Sequence, residues 1–155
     1  FIISPVVAGT FDTFNTFCVE TSEHVSPGSQ YVVGNIGMET INGGKPLTAG
    51  AAYLFYHFTM GDLLGYDSST DQTDLQNAIW YFMGLIANPG NEFVTLAVNS
   101  AIAGNFYGVR VLTLVTPAGG PAQDMLVYVP DGGLTALLLG IGVGGLAIVS
   151  RKFRQ

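Results

Sequence analysis

The chain has a single cysteine, Cys18, in 155 residues. One thiol excludes an intramolecular disulfide, and outside a reducing compartment it is a liability unless it is buried or chemically committed. Charge is also scarce: 10% of residues are charged, and five are Lys or Arg. Residues 1–131 hold two of those bases, Lys45 and Arg110, against all eleven acidic residues, a net of −9. So acidic a surface argues against nucleic acid as a partner. There is no internal repeat at a solenoid period. A calcium loop is not expected at Asp67, Asp71 and Asp74, which lack the glycine and bidentate glutamate of an EF-hand and read as the start of a helix. No metal or other cofactor is therefore expected. His24 lies in a polar loop, "SEHVSPG", and His57 in an aromatic helix, so neither is read as the base of a Cys-His hydrolase. The chain is not expected to be an enzyme.

What the sequence does have is apolar residues, 48% of the total and unevenly placed. Its length suits one domain with a real core. Gly132 to Ser150 is a run of nineteen residues without a charge, which as a helix would reach roughly 28 Å, enough to cross a bilayer. Arg151, Lys152 and Arg154 follow directly, and such a basic cluster is expected on the cytoplasmic side. The chain opens on Phe1 with no charged-then-apolar leader before it. With the apolar tail, this leads to the expectation of an exported protein whose secretion signal has been removed.

Between the ends, periodicity and turn residues give a mixed pattern. "SPVVAGTFDTFNTFCVE" reads as one or two strands and "QYVVGNIGMETI" as another, with a turn at Asn42-Gly43-Gly44. "LTAGAAYLFYHFTMGDLLG" is apolar nearly all round, as in a helix buried on most sides, so its aromatics Tyr53, Phe55, Tyr56 and Phe58 are assigned to the core. A second helix carries Leu75, Ile79, Phe82, Met83 and Ile86 on one face, with Thr73 or Asp71 as N-cap and Asn88-Pro89-Gly90 as its stop. "EFVTLAVNSAIAGN" fits helix or strand and is expected helical at its start. "FYGVRVLTLVTP" and "AQDMLVYVP" are expected to pair as a hairpin.

The last part of the chain, "VYVPDGGLTALLLGIGVGGLAIVSRKFRQ", resembles the C-terminal signal of PEP-CTERM proteins in its VPD-type variant. The shared features are a Pro-acidic-Gly motif, an apolar helix and a terminal basic cluster. The resemblance implies export and processing by an exosortase-type membrane transpeptidase, with Pro130, Asp131 and Gly132 as the recognition motif. Gly140 and Gly144 form a GxxxG pair that would let neighbouring tails pack closely.

A second resemblance rests on "FCVE" and "LQNAIW", which are similar to the paired motifs of thioester domains in bacterial surface adhesins. In those domains the cysteine sulfur attacks the glutamine side-chain carbonyl, ammonia leaves and an internal thioester remains. The matching positions are Cys18 and Gln76, with Trp80 one helical turn on to shield the bond. A thiolate is a strong nucleophile, and a carboxamide becomes an acyl donor only when held against one with its oxygen stabilised. Without the resemblance, Cys18 reads as a small buried hydrophobe and Gln76 as a surface residue.

The sequence thus leads to an α+β body over residues 1–130, a β-sandwich or small barrel with two inserted helices. A sorting motif, hydrophobic helix and basic tail follow over 131–155. The first functional expectation is a self-assembling filament or surface-array subunit, a homo-oligomer packed through its C-terminal helix and at least transiently in the membrane. The alternative is a membrane-anchored, adhesin-like thioester domain that binds an amine-bearing protein covalently.

Overall fold

A computed structural model of the chain describes residues 2–3, 14–26, 29–41 and 43–130. Three strands, β3 (Val32–Gly37), β4 (Val109–Val115) and β5 (Met125–Tyr128), form an antiparallel sheet in that order. Two short strands, β1 (Ile2–Ile3) and β2 (Phe14–Asn15), pair as a separate ribbon. Three helices intervene between β3 and β4: α1 (Ala49–Met60), α2 (Ser69–Phe82) and α3 (Glu92–Ser100). The α+β class and the β4–β5 hairpin follow the sequence pattern. The expected sandwich or barrel does not: among the described residues the principal sheet has three strands, and its partner layer is helical. The inserted helices are three, because "EFVTLAVNS" folds as a helix in its own right. Among the described residues no helix is long and apolar enough to cross a membrane. The C-terminal helix expected over 132–150 lies outside them.

β4 is the central strand and is covered on both faces, which explains why it reads as a nearly unbroken apolar run. Val109 and Val111 join Leu126 and the helices in the main core. Leu112 and Leu114, at the alternate positions, form a smaller cluster with Ala122, against which Val25, Tyr31, Val33 and Ile36 pack. Val33 and Ile36 are three apart, a spacing that would put them on opposite faces of a regular strand. A bulge solves this: the register with β4 slips between Val33 and Asn35, at Gly34. A Cβ at Gly34 would sit 3.1 Å from Thr113 Oγ1.

The main core is built by the inner faces of the helices, with Leu54 and Phe55 of α1, Leu75 and Ile79 of α2, and Phe93 of α3 at most 1% exposed. Each such side chain contributes about 1.5–3 kcal/mol by leaving water. Helix α1 approaches α2 through Gly50, where a Cβ would strike the Phe82 ring. Phe55 is buried as expected, whereas Tyr53, Tyr56 and Phe58 are half-buried around it.

Helix α2 starts earlier than the sequence suggests. Its N-cap is Ser68, not Thr73 or Asp71. Asp71 instead turns back one turn to accept from the backbone N–H groups of Asp67 (2.9 Å) and Ser68 (2.7 Å) and from Ser68 Oγ (2.9 Å). The Asp67 amide first, then the Ser68 hydroxyl and amide, hold its carboxyl below the usual range. At the far side of the bundle, Asn91 does two jobs. Its Oδ1 caps α3 by accepting from Val94 N (3.1 Å), and its Nδ2 donates to Asp74 O in α2 (2.7 Å). Replacing Asn91 with Ala is expected to lower unfolding stability by about 1–2 kcal/mol in a denaturant titration. Asn91→Ser, which keeps a cap and loses the bridge to α2, is expected to fall between the two.

Candidate functional site

Residues 16–19 run beside β5 as an irregular extra strand. Leu126 N donates to Phe17 O (3.1 Å), Val19 N donates to Asp124 O (3.0 Å), and Cys18 lies opposite Met125. Thr16 Oγ1 adds a bond to Leu126 O at 2.6 Å. In this extended stretch Val19 is fully buried in the helix-facing core. Alternation along the chain turns Cys18 and Glu20 to the other side.

Helix α2 lies along the edge of this segment that faces away from β5, where the Cys18 N–H and C=O point. Its buried stripe, Leu75, Ala78 and Ile79, faces the core, so residues one step round the helix, Gln76 and Trp80, face the segment carrying Cys18. The contact is specific. Cys18 N donates to Gln76 Oε1 at 3.0 Å, and Gln76 Nε2 donates to Cys18 O at 2.9 Å. The carboxamide is thus held in both senses by the backbone of the one residue whose side chain is a thiol. Two residues 58 apart in sequence are brought into register by this pair.

The pair opens onto a cavity of about 490 Å³, whose lining includes Cys18, Glu20, His24, Gln76, Trp80 and Gln123. Cys18 itself is 7% exposed, and burial pushes its thiol up to about 11. At neutral pH the sulfur therefore keeps its proton. The Trp80 indole N–H is buried with no hydrogen-bond partner among the described groups, an unspent donor in the wall of the cavity. Behind the cavity, Asp124 is fully buried. Its Oδ2 accepts from Ile41 N, while its own N–H donates to Glu20 Oε2 at 3.4 Å. Burial, followed by the nearby Glu23 charge, raises the Asp124 carboxyl above its ordinary value.

The structure therefore brings together three of the residues singled out from the sequence: Cys18, Gln76 and Trp80. His24, set aside as part of a solvated loop, is exposed as expected and yet lines the same cavity. His57 is engaged elsewhere, with Nδ1 2.8 Å from Asp62 Oδ1. Glu20 was missed as a site residue, as were Gln123 and the Gln72 and Asn77 side chains of α2. A signal for Glu20 existed in its position two residues beyond Cys18. Gln72 likewise stands one turn before Gln76. Of the sorting motif, Pro130 is described and exposed. Asp131, Gly132, Gly140 and Gly144 lie outside the described residues, and so do the helix packing and filament assembly expected from them.

Comparison with known families separates tail from body. Residues 128–153 match the VPDSG-CTERM motif. That motif gives the chain a PEP-CTERM-type sorting tail, which goes with export and surface association. Val129, Pro130, Asp131 and Gly133 follow the lettering of the motif, and Gly132 stands where it has serine. No curated protein and no solved structure matches the chain.

Proposed function

We propose that this exported, surface-sorted protein fastens itself covalently to an amine-bearing partner through an internal thioester between Cys18 and Gln76. The observation that carries the reading is the reciprocal hydrogen-bond pair between the Gln76 carboxamide and the Cys18 backbone. An N–H aimed at the carbonyl oxygen is the donor that a tetrahedral oxyanion needs. The second bond fixes the nitrogen, so the carboxamide is held beside the residue that carries the thiol and does not have to find it by chance. The sulfur bonds to Gln76 Cδ, the Cδ–Nε2 bond breaks, and the thiol proton leaves with the nitrogen as ammonia. A partner amine later attacks the same carbon, forms an amide and restores the thiol. Each molecule reacts once, so the protein acts as a fastener and not as an enzyme. The filament expectation draws nothing from the described body and takes second place.

Methylamine tests the reading. Native chain incubated with it is expected to gain one methylamide, mapped by peptide mass analysis to Gln76, together with a newly alkylatable Cys18. A chain that has lost ammonia but captures no amine would instead make the thioester a purely structural cross-link.

A further inference from the structure

The thioester chemistry needs a proton carrier in the cavity. Near neutral pH the Cys18 thiol is protonated, because burial pushes it up to about 11, while the departing nitrogen must gain a proton to leave as ammonia. In the second step a lysine-like amine arrives as its ammonium, with only about one molecule in a thousand free at pH 7. Both steps stall unless a group beside the bond accepts a proton and releases it.

Besides Cys18, the titratable side chains among the described residues that line the cavity are Glu20 and His24. His24 is exposed and belongs to a loop. Glu20 is 4% exposed, on the same side of the extended segment as Cys18. Its place is fixed through its backbone, since Gln123 Nε2 donates to Glu20 O at 2.8 Å. The Asp124 N–H reaches its Oε2. His24 lines the same cavity and Asp124 lies behind its wall, where the Glu23 charge acts on it. The body over residues 1–131 is acidic, which draws cations in.

Resting on the thioester reading, we propose that Glu20 is the proton carrier of this site and selects protonated primary amines as its partners. In the forming step its carboxylate takes the proton of Cys18 Sγ as the S–C bond forms. It then passes that proton to Gln76 Nε2 as the C–N bond breaks. In the second step the partner's ammonium docks against the carboxylate and gives up one proton to it, which Glu20 holds. The freed nitrogen attacks Cδ and keeps one hydrogen in the new amide. Glu20 passes the held proton to the departing sulfur, and the nitrogen's remaining proton is lost to solvent afterwards.

The test is the rate of methylamine capture by the purified full chain, followed by intact mass between about pH 6 and 9, for wild type, Glu20→Gln, Glu20→Asp and His24→Gln. General acid-base assistance is worth about 100-fold or more. Glu20→Gln is expected to lose that factor near pH 7 and to speed up tenfold per pH unit, because only amine already free in solution reacts. Wild type and His24→Gln are expected to show the shallower profile, with Glu20→Asp in between. Hydroxylamine, neutral at pH 7, is expected to narrow the gap. A folded Glu20→Gln chain that keeps its ammonia, while Glu20→Asp loses it, supports the forming half of the proposal. A reactive Glu20→Gln chain with the wild-type rate and slope overturns this proposal and leaves the thioester standing. Wild type at full sequence mass overturns the thioester and this proposal together. If Glu20→Gln does not fold, the wild-type profile decides: a tenfold rise per pH unit overturns it, and a shallow one supports it.

Discussion

Native protein is expected to weigh one ammonia less than its sequence, and replacing either Cys18 or Gln76 is expected to restore the full mass. The effect is all or none, because the bond has one nucleophile and one acyl donor. Cys18→Ala removes the sulfur and leaves the amide pair with the Cys18 backbone possible. The variant should therefore fold and keep its nitrogen. Gln76→Asn shortens the arm by one methylene, so its carbonyl cannot reach both the N–H and the C=O of Cys18. Gln76→Glu keeps the length, yet it replaces the N–H that meets Cys18 O by a carboxylate oxygen. That leaves two acceptors facing each other, at a cost of about 1–3 kcal/mol. Mass must be read from native material in parallel with alkylation of Cys18. A chain at full sequence mass whose cysteine alkylates once unfolded contains a free thiol, and the thioester is then excluded.

How much of this was legible in the sequence differs by element, for physical reasons. The β4–β5 hairpin and the inner stripe of α2 were readable because burial imposes periods of 2 and 3.6 on residue type. The start of α2 was not. "YDSSTDQTD" offers several residues able to cap, and the choice of Ser68 depends on Asp71 folding back on two amides, which no single residue type signals. The bulge at Gly34 was equally silent, since a glycine in a strand marks a bulge and a close approach alike. The sandwich expectation counted strands in residues 4–20. Among the described residues of that stretch there is only β2, which pairs with β1 in a separate ribbon, and the Cys18 bridge to Met125 at the edge of the main sheet.

The site was half legible. Cys18 and Gln76 stood out because acyl transfer demands those two residue types, and the segments around them carry the resemblance. Their distance in sequence gave no sign of contact. It arises because residues 16–19 run along β5 while α2 turns its buried stripe the other way. Glu20 escaped notice because a glutamate is ordinarily a solvated residue. Its meaning depends on burial, and burial here comes from Gln123 and Asp124, more than a hundred residues away. The tail presents the reverse case. Its motif is legible from residue order alone, whereas the body around the cavity is understood only in three dimensions.

Opening the bond with methylamine is expected to lower the melting temperature by roughly 10–20 °C. The thioester would close a loop between positions 58 apart. A cross-link over that length removes unfolded-state entropy worth about 4 kcal/mol on the chain-entropy model. For a body of this size each kcal/mol moves the midpoint by about 3–5 °C. Aminolysis is a clean way to remove the constraint, because it leaves an N-methyl carboxamide at Gln76. That group keeps its carbonyl oxygen for Cys18 N, and the N–H that meets Cys18 O is already absent from the thioester, so opening the bond costs the folded state little hydrogen bonding. The unfolded chain, by contrast, regains its full freedom. Cys18→Ala, which never forms the link, should melt close to the methylamine-treated chain and be unaffected by the amine. If treated and untreated wild type melt together although mass analysis shows the bond opened, the link does not constrain the fold. The Cys18 segment would then have to be tied to α2 by packing and hydrogen bonds alone.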